Sequence, residues 1–200
     1  MRVAFHDPLG APGDAGAGTV SHRARLSMAV LVYIGYDVHL ATTFRSLDPE
    51  GDHMRQLRLA ELGWKLAHRL LARWRKHPDE GPDLWLTGHL SPQAPDWIGP
   101  AVSEALAIPY VVAGASFSPG HAGGAWDPGY RAVELAVGRA AAVFCLDPED
   151  RPDLERIMRS PGALHDLPDI GDATSSSPVP VAAAMRLDAV LRGLAAQGDR

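Results

Sequence analysis

The sequence predicts an α/β fold built on a doubly wound, mainly parallel sheet. Three observations predict it. Short apolar runs alternate with longer helical patterns along 200 residues, the first run opens at Arg2, and turn residues cluster at the junctions.

Arg2-Val-Ala-Phe-His6 is the first strand. Asp7 to Ser21 then has turn chemistry throughout, with glycines at 10, 13, 16 and 18. Ser21 is the expected N-cap of a helix carrying Leu26, Ala29, Val30 and Tyr33 and stopping near Gly35. A strand, loop and helix in this order put backbone N–H groups and a positive helix end at the strand's carboxyl end, where anions and sugars dock. Gly13, Gly16 and Gly18 do not complete the dinucleotide fingerprint, because Ser21 stands where its last glycine belongs, and no Gly-Lys-Ser/Thr follows. Two readings stand: a binding loop, or a connection whose glycines merely permit tight turns.

Asp37 to Thr42 reads as the second strand, entered through Gly35-Tyr36. After a polar loop, Asp52 is placed to cap a long helix from about His53 to Lys76, ended by His77-Pro78. Its apolar positions form two stripes, Leu57, Ala60, Trp64, Ala67, Leu71 and Trp74 beside Leu59, Leu62, Leu66 and Leu70, so a wide buried arc is expected. Arg58, Lys65, Arg69, Arg73 and Lys76 form a ridge opposite, with Glu61 the helix's only acid. The ridge is either a solvated face or a contact for anionic headgroups or a phosphorylated acceptor.

Asp83 to Thr87 is the third strand, leading into Gly88-His89. A helix from about Ile98 to Leu106 follows, then a fourth strand, Tyr110 to Ala113, running into a second glycine-rich loop. Further elements are a helix over roughly Pro128–Arg139, a strand Ala142–Leu146, a helix opened by Asp147-Pro148 and continuing to about Arg159, and a short strand Ala163–Leu167. This alternation is Rossmann-like. Asp172 to Pro180 is a linker by composition, and Val181 to Ala196 can form a last helix with Met185, Val190, Leu191 and Leu194 apolar. The expected division is therefore 1–172 as a Rossmann-like domain and 173–200 as linker and helical tail.

Composition narrows the function classes. Hydrophobic residues make up 46% and charged ones 22%, enough for a buried core. A net charge of −5 argues against a general nucleic-acid binder. The single cysteine, Cys145, excludes an internal disulfide and a multi-cysteine metal site, and its apolar surroundings favour a buried, inert thiol. No signal peptide and no apolar run of spanning length is visible, so a cytoplasmic location is the default expectation.

His89 leads the candidates for chemistry. It follows a strand directly in a glycine-flanked turn, where an imidazole can take a proton or hydrogen-bond a hydroxyl near neutral pH. The alternative is a structural loop histidine. His6-Asp7 can face the same crevice or serve packing. His121, Gly123 and Gly124 sit on another long loop suited to a lid or ligand contact. No Ser-His-Asp arrangement is indicated, and no histidines show metal-ligand spacing. No metal and no cofactor is expected.

Several of these stretches, taken in order, carry a resemblance. Met1-Arg-Val-Ala-Phe5 with the glycine loop, Arg23-Ala-Arg-Leu26 into Gly35-Tyr-Asp-Val-His-Leu-Ala41, Phe44-Arg-Ser-Leu-Asp48, Pro82-Asp-Leu-Trp-Leu-Thr-Gly-His89 with Ala94-Pro-Asp-Trp97, Ile108 to Ala113, Leu146 to Asp150, and Leu167-Pro168 resemble the amino-terminal half of GT-B glycosyltransferases. The nearest resemblance is to the retaining, nucleotide-sugar-dependent family numbered 4, and it covers about residues 1–172. It implies a single GT-B half-domain that binds the acceptor. Gly16 and Gly18 would line the interdomain cleft near the donor phosphates, His89 would face the reacting sugar, and Ser116 would lie on a cleft loop. It also implies a nucleotide-sugar donor, a sugar or lipid-linked acceptor, and peripheral contact of the basic ridge with the inner face of a membrane.

Members of this fold carry a second Rossmann-like domain holding most of the donor site, and residues 1–200 carry the pattern of one such domain. The expectation is a truncated product, a half-enzyme completed by a separate donor-domain chain, or a domain that binds without reacting. The rival is thus a non-catalytic binding or interaction domain. A nucleotide-dependent oxidoreductase ranks last because of the incomplete glycine fingerprint.

Overall fold

A computed structural model of the chain describes residues 1–10, 18–167 and 181–198. Six strands form one sheet: β1 (Arg2–His6), β2 (Asp37–Leu40), β3 (Leu84–Thr87), β4 (Tyr110–Val112), β5 (Ala142–Cys145) and β6 (Leu164–Asp166). All neighbours pair in parallel, in the order β2-β1-β3-β4-β5-β6. The fold is thus α/β with a Rossmann-like, doubly wound, all-parallel sheet, as the alternation predicts. The chain leaves β1 in one direction to make β2, then returns across it to make β3. That reversal creates a crevice between β1 and β3 at the carboxyl edge.

The inner strands are apolar nearly throughout because helices cover both of their faces. Side chains alternate strictly. Ala4, Trp85, Tyr110, Val112, Val143 and Cys145 face one core with α2 (His53–Lys76), α3 (Gly99–Leu106), α4 (Asp127–Arg139) and α5 (Arg151–Ile157). Val3, Phe5, Leu84, Leu86, Val111, Ala142 and Phe144 face the other, with α1 (Gly18–Tyr33) and α6 (Val181–Gly198).

Local expectations on four helices need correction. Helix α1 begins at Gly18, so Ser21 lies inside it and does not cap it. Over residues 24–33 its buried positions are Ala24, Leu26, Ser27, Val30 and Leu31, while Ala29 and Tyr33 point outward. On α2 the bounds and the cap are as expected: the Asp52 carboxylate accepts from the amides of Met54 and Arg55 at 2.9 and 3.1 Å. The buried arc is narrower than the leucine count suggests. It comprises Gln56, Ala60, Gly63, Ala67, Leu71 and Trp74, leaving Leu57, Leu62 and Trp64 exposed. On α6 the buried side is Ala183, Ala184, Leu187 and Leu191, and Met185 faces out. Helix α5 starts at Arg151, after the Asp147-Pro148 turn rather than within it.

Candidate functional site

The carboxyl edge of the inner strands brings several of the candidates together. The β1–β3 ladder continues past the strands: the Gly88 amide donates to the His6 carbonyl at 2.8 Å. A side chain cannot fit at Gly88, since a Cβ there would lie 2.8 Å from the Phe5 ring and 2.9 Å from Asp7 Oδ2. Gly88 therefore lets the Asp7 carboxylate close over the crevice mouth. His89 follows, half-buried. Beyond it Leu90 bridges in parallel to Ala115, its amide donating to the Gly114 carbonyl at 2.8 Å and its carbonyl accepting from the Ser116 amide at 2.9 Å. His89 and Ser116 thus sit on adjacent loops running in register. Ser116 Oγ donates to Asp150 Oδ1 at 3.2 Å, which ties the loop after β4 to the start of α5.

Below this rim lies a polar cluster inside the core. Asp96, on the loop after β3, returns beneath Thr87. Its Oδ1 accepts from the amides of Ile98 and Gly99, both at 2.8 Å, and so satisfies two donors at the entry to α3, whose N-cap is Ile98. Its Oδ2 accepts from Thr87 Oγ1 at 2.6 Å and Trp85 Nε1 at 3.1 Å. The Tyr110 hydroxyl lies 3.4 Å from the same oxygen, and burial beside it raises that phenol's pKa. His6 Nε2 stands 3.9 Å from Asp96 Oδ1, and both side chains are fully buried. Among the described residues neither ring nitrogen of His6 has a hydrogen bond of full geometry, although the Thr42 backbone is close enough to favour the protonated ring. Burial holds the imidazole neutral by lowering its pKa, against the pull of Asp96.

Burial strongly alters the ionisation of Asp7 at this edge. Its Oδ1 accepts from the Leu9 amide at 2.9 Å, but desolvation outweighs that bond and raises its pKa to about 7. A carboxyl titrating there can give or take a proton near neutral pH. Asp7 stood in the sequence only as an undecided neighbour of His6. Its environment depends on the missing side chain at Gly88, which adjacency in sequence does not reveal. Asp96 carried no signal as a site residue beyond its place in a Pro-Asp-Trp turn.

The other candidates divide. Gly16 lies outside the described residues. Gly18 is the first residue of α1, at a helix start rather than on a loop. His121 belongs to the loop between β4 and α4, its Nε2 3.4 Å from Gln93 Nε2 and its ring edge-on to Trp126. Cys145 is buried, its Sγ 2.8 Å from the Asp147 carbonyl, and burial pushes the thiol's pKa up. The ridge residues Arg58, Lys65, Arg69, Arg73 and Lys76 belong to α2, which contributes no residue to the rim just described. A cavity of about 420 Å³ also lies apart from that rim. It sits between the end of α2 and the β1–β2 edge and is lined by Arg2, Asp37, His39, Arg73, Trp74 and Glu80, among others. No helix among the described residues is long and apolar enough to cross a membrane.

No protein-family model matches the chain, and no curated protein matches it in sequence.

Proposed function

We propose that this chain is the acceptor-binding half of a nucleotide-sugar-dependent glycosyltransferase, working with a donor-binding half. The observation that carries the reading is the β1/β3 reversal, which sets Asp7, His89 and Ser116 along one edge of a parallel sheet. Sugar hydroxyls need paired donors and acceptors, and this rim supplies an imidazole, a hydroxyl and a carboxyl that titrates near neutrality. In this reading His89 faces the reacting hydroxyl, Ser116 holds a neighbouring one, and the backbone at Gly18 approaches the donor phosphates through the helix start.

The test is titration of the purified chain with a panel of nucleoside-diphosphate sugars and free or lipid-linked sugars, followed by amide shifts at Gly88, His89 and Ser116. Saturable shifts confined to this edge, weakened about tenfold by His89→Ala, are expected, a loss of about 1.4 kcal/mol. No saturable binding of any sugar or nucleotide sugar overturns the proposal. Saturable binding with no transfer, after a donor-domain chain is added, selects the non-catalytic binding domain instead.

A further inference from the structure

We infer that the free edge of β2 joins two copies of this chain, antiparallel and related by a two-fold axis, into one continuous sheet. The inference is independent of sugar transfer. Strands β2 and β6 end the sheet, each paired on one side only. Their open sides differ. In β6 the Leu167 amide bonds the Cys145 carbonyl, so the main-chain groups of Asp166 face outward. There the Asp166 carbonyl accepts from the Arg186 guanidinium at 2.9 Å, and Arg151 pairs with the Asp166 carboxylate. That edge is short and already engaged. In β2 the Asp37 amide donates to the Met1 carbonyl at 3.2 Å and the Ala41 amide to the Phe5 carbonyl at 2.8 Å. The amides and carbonyls of Val38 and Leu40 therefore face away from β1. Among the described residues nothing bonds them, and β2 has neither the lysine nor the proline that blunts an edge.

An open edge alone names no partner; the side chains of β2 name a second copy. With Val38 opposite Val38 of that copy, the pair exchanges both main-chain bonds. Asp37 of each copy then stands opposite His39 of the other, at the non-bonded positions where side chains come closest, about 4.5–5.5 Å between Cβ atoms. Asp37 and His39 lie on one sheet face, and their side chains are 56 and 60% exposed. Within one chain His39 Nε2 lies 2.8 Å from Asp37 Oδ1, and Arg2 Nε lies 3.3 Å from Oδ2. The strand is thus its own complement, carboxylate against imidazole in both directions. Shifting the register by two residues sets His39 against His39 and Asp37 against Ala41, which removes both complementary pairs. Shifting it by one sets Val38 against His39, whose main-chain groups are turned to β1. Apolar surface lies close to the seam. Val38 and Leu40 pack into the core under α1, while Val32 and Tyr33 in the last turn of α1, just before β2, stay exposed.

The experiment is sedimentation velocity of the full chain from about 1 μM to about 1 mM. A contact of this size is expected to give a monomer–dimer equilibrium with a Kd of about 10–100 μM. D37K sets a lysine against His39, and H39D sets a carboxylate against Asp37, each twice per dimer. Each variant alone should therefore dimerise at least about tenfold more weakly than the parent. Both side chains are exposed, so the circular dichroism spectrum and melting curve should stay close to the parent's. Mixing the two variants sets the new lysine of one copy against the new aspartate of the other and keeps one original pair, so a mixed dimer should regain the parent's affinity. Ion pairs confined to one chain give no such rescue. Cysteine trapping supplies a second measurement. D37C mixed with H39C should form an interchain disulfide under mild oxidation faster than either variant alone, because only the mixture sets the two thiols directly opposite. A chain that is monomeric at every concentration overturns the inference. So does a dimer that neither charge variant weakens, a mixture no tighter than its components, or trapping no faster in the cysteine mixture than in either variant alone.

Discussion

At the scale of single residues, Asp7 shows how one missing side chain sets a proton affinity. Gly88 has no Cβ, so the Asp7 carboxylate lies within the edge and is only 3% exposed. Its pKa rises to about 7, while an unfolded-chain aspartate titrates near 3.9. Because the folded form binds the proton more tightly, this group favours the fold at low pH and disfavours it as pH rises. The cost grows between about pH 4 and about pH 7 and is constant above that, reaching at most about 4 kcal/mol. Asp7→Asn keeps an oxygen for the Leu9 amide and removes the titration. The variant should match the parent near pH 4 and exceed it by roughly 2–4 kcal/mol near pH 8, read from urea midpoints at each pH. His6 works in the opposite sense, since a neutral buried imidazole weakens the fold as pH falls below its unfolded pKa, but that effect cancels between parent and variant. A difference that stays flat with pH would mean that Asp7 is solvated and no acid–base group stands at the crevice.

At the scale of elements, α2 was legible at its ends and not around its circumference. Asp52 and His77-Pro78 are local signals, and they mark the helix to the residue. Which arc is buried depends on what the helix lies against, and leucines on several sides leave that open. Helices α3 and α4, with Asp48 and the loop after β3, receive the side bearing Gln56, Gly63 and Ala67, none of them a conspicuous core residue. Gly63 gives a direct test, because two effects of opposite sign meet there. Alanine gains about 1 kcal/mol over glycine in a helix interior. A Cβ at Gly63 would, however, lie 2.4 Å from Trp97 Cβ and 3.3 Å from its carbonyl oxygen, so α2 must shift away from that loop. Overpacking of this kind costs roughly 1–3 kcal/mol or more, so Gly63→Ala should lower stability in denaturant titration. A gain of about 1 kcal/mol would show that α2 does not rest on Trp97. The same distinction separates the site residues. The place of His89 just past the end of β3 was readable because it is local in the chain, whereas Asp96 reaches Thr87 and His6 only through space.

At the scale of the whole molecule, the sheet has two faces to cover, and α6 closes the second. Helices α2 to α5 cover one face, whereas the other is left to α1 and α6. Ala183, Ala184, Leu187 and Leu191 of α6 join Val3, Phe5, Leu31 and Phe144 in one buried cluster. The helix is also held by polar contacts at its flanks: Tyr36 Oη donates to Asp188 at 2.9 Å, and the Arg186 guanidinium donates to the Asp166 carbonyl at 2.9 Å. A composition-based reading treats this segment as a tail, because alanines dominate it and the preceding stretch looks like a linker. Small side chains are what close helix-to-sheet packing uses, so its alanine content is compatible with a core role. The consequence is cooperative unfolding. Leu191 is fully buried, so Leu191→Ala should cost about 2–4 kcal/mol and shift the urea transition of the whole sheet, with far-ultraviolet and tryptophan signals moving together. Met185→Ala, on the exposed side, should leave the midpoint unchanged. If Leu191→Ala instead uncoupled the two signals, α6 would be melting separately from a sheet that stands without it.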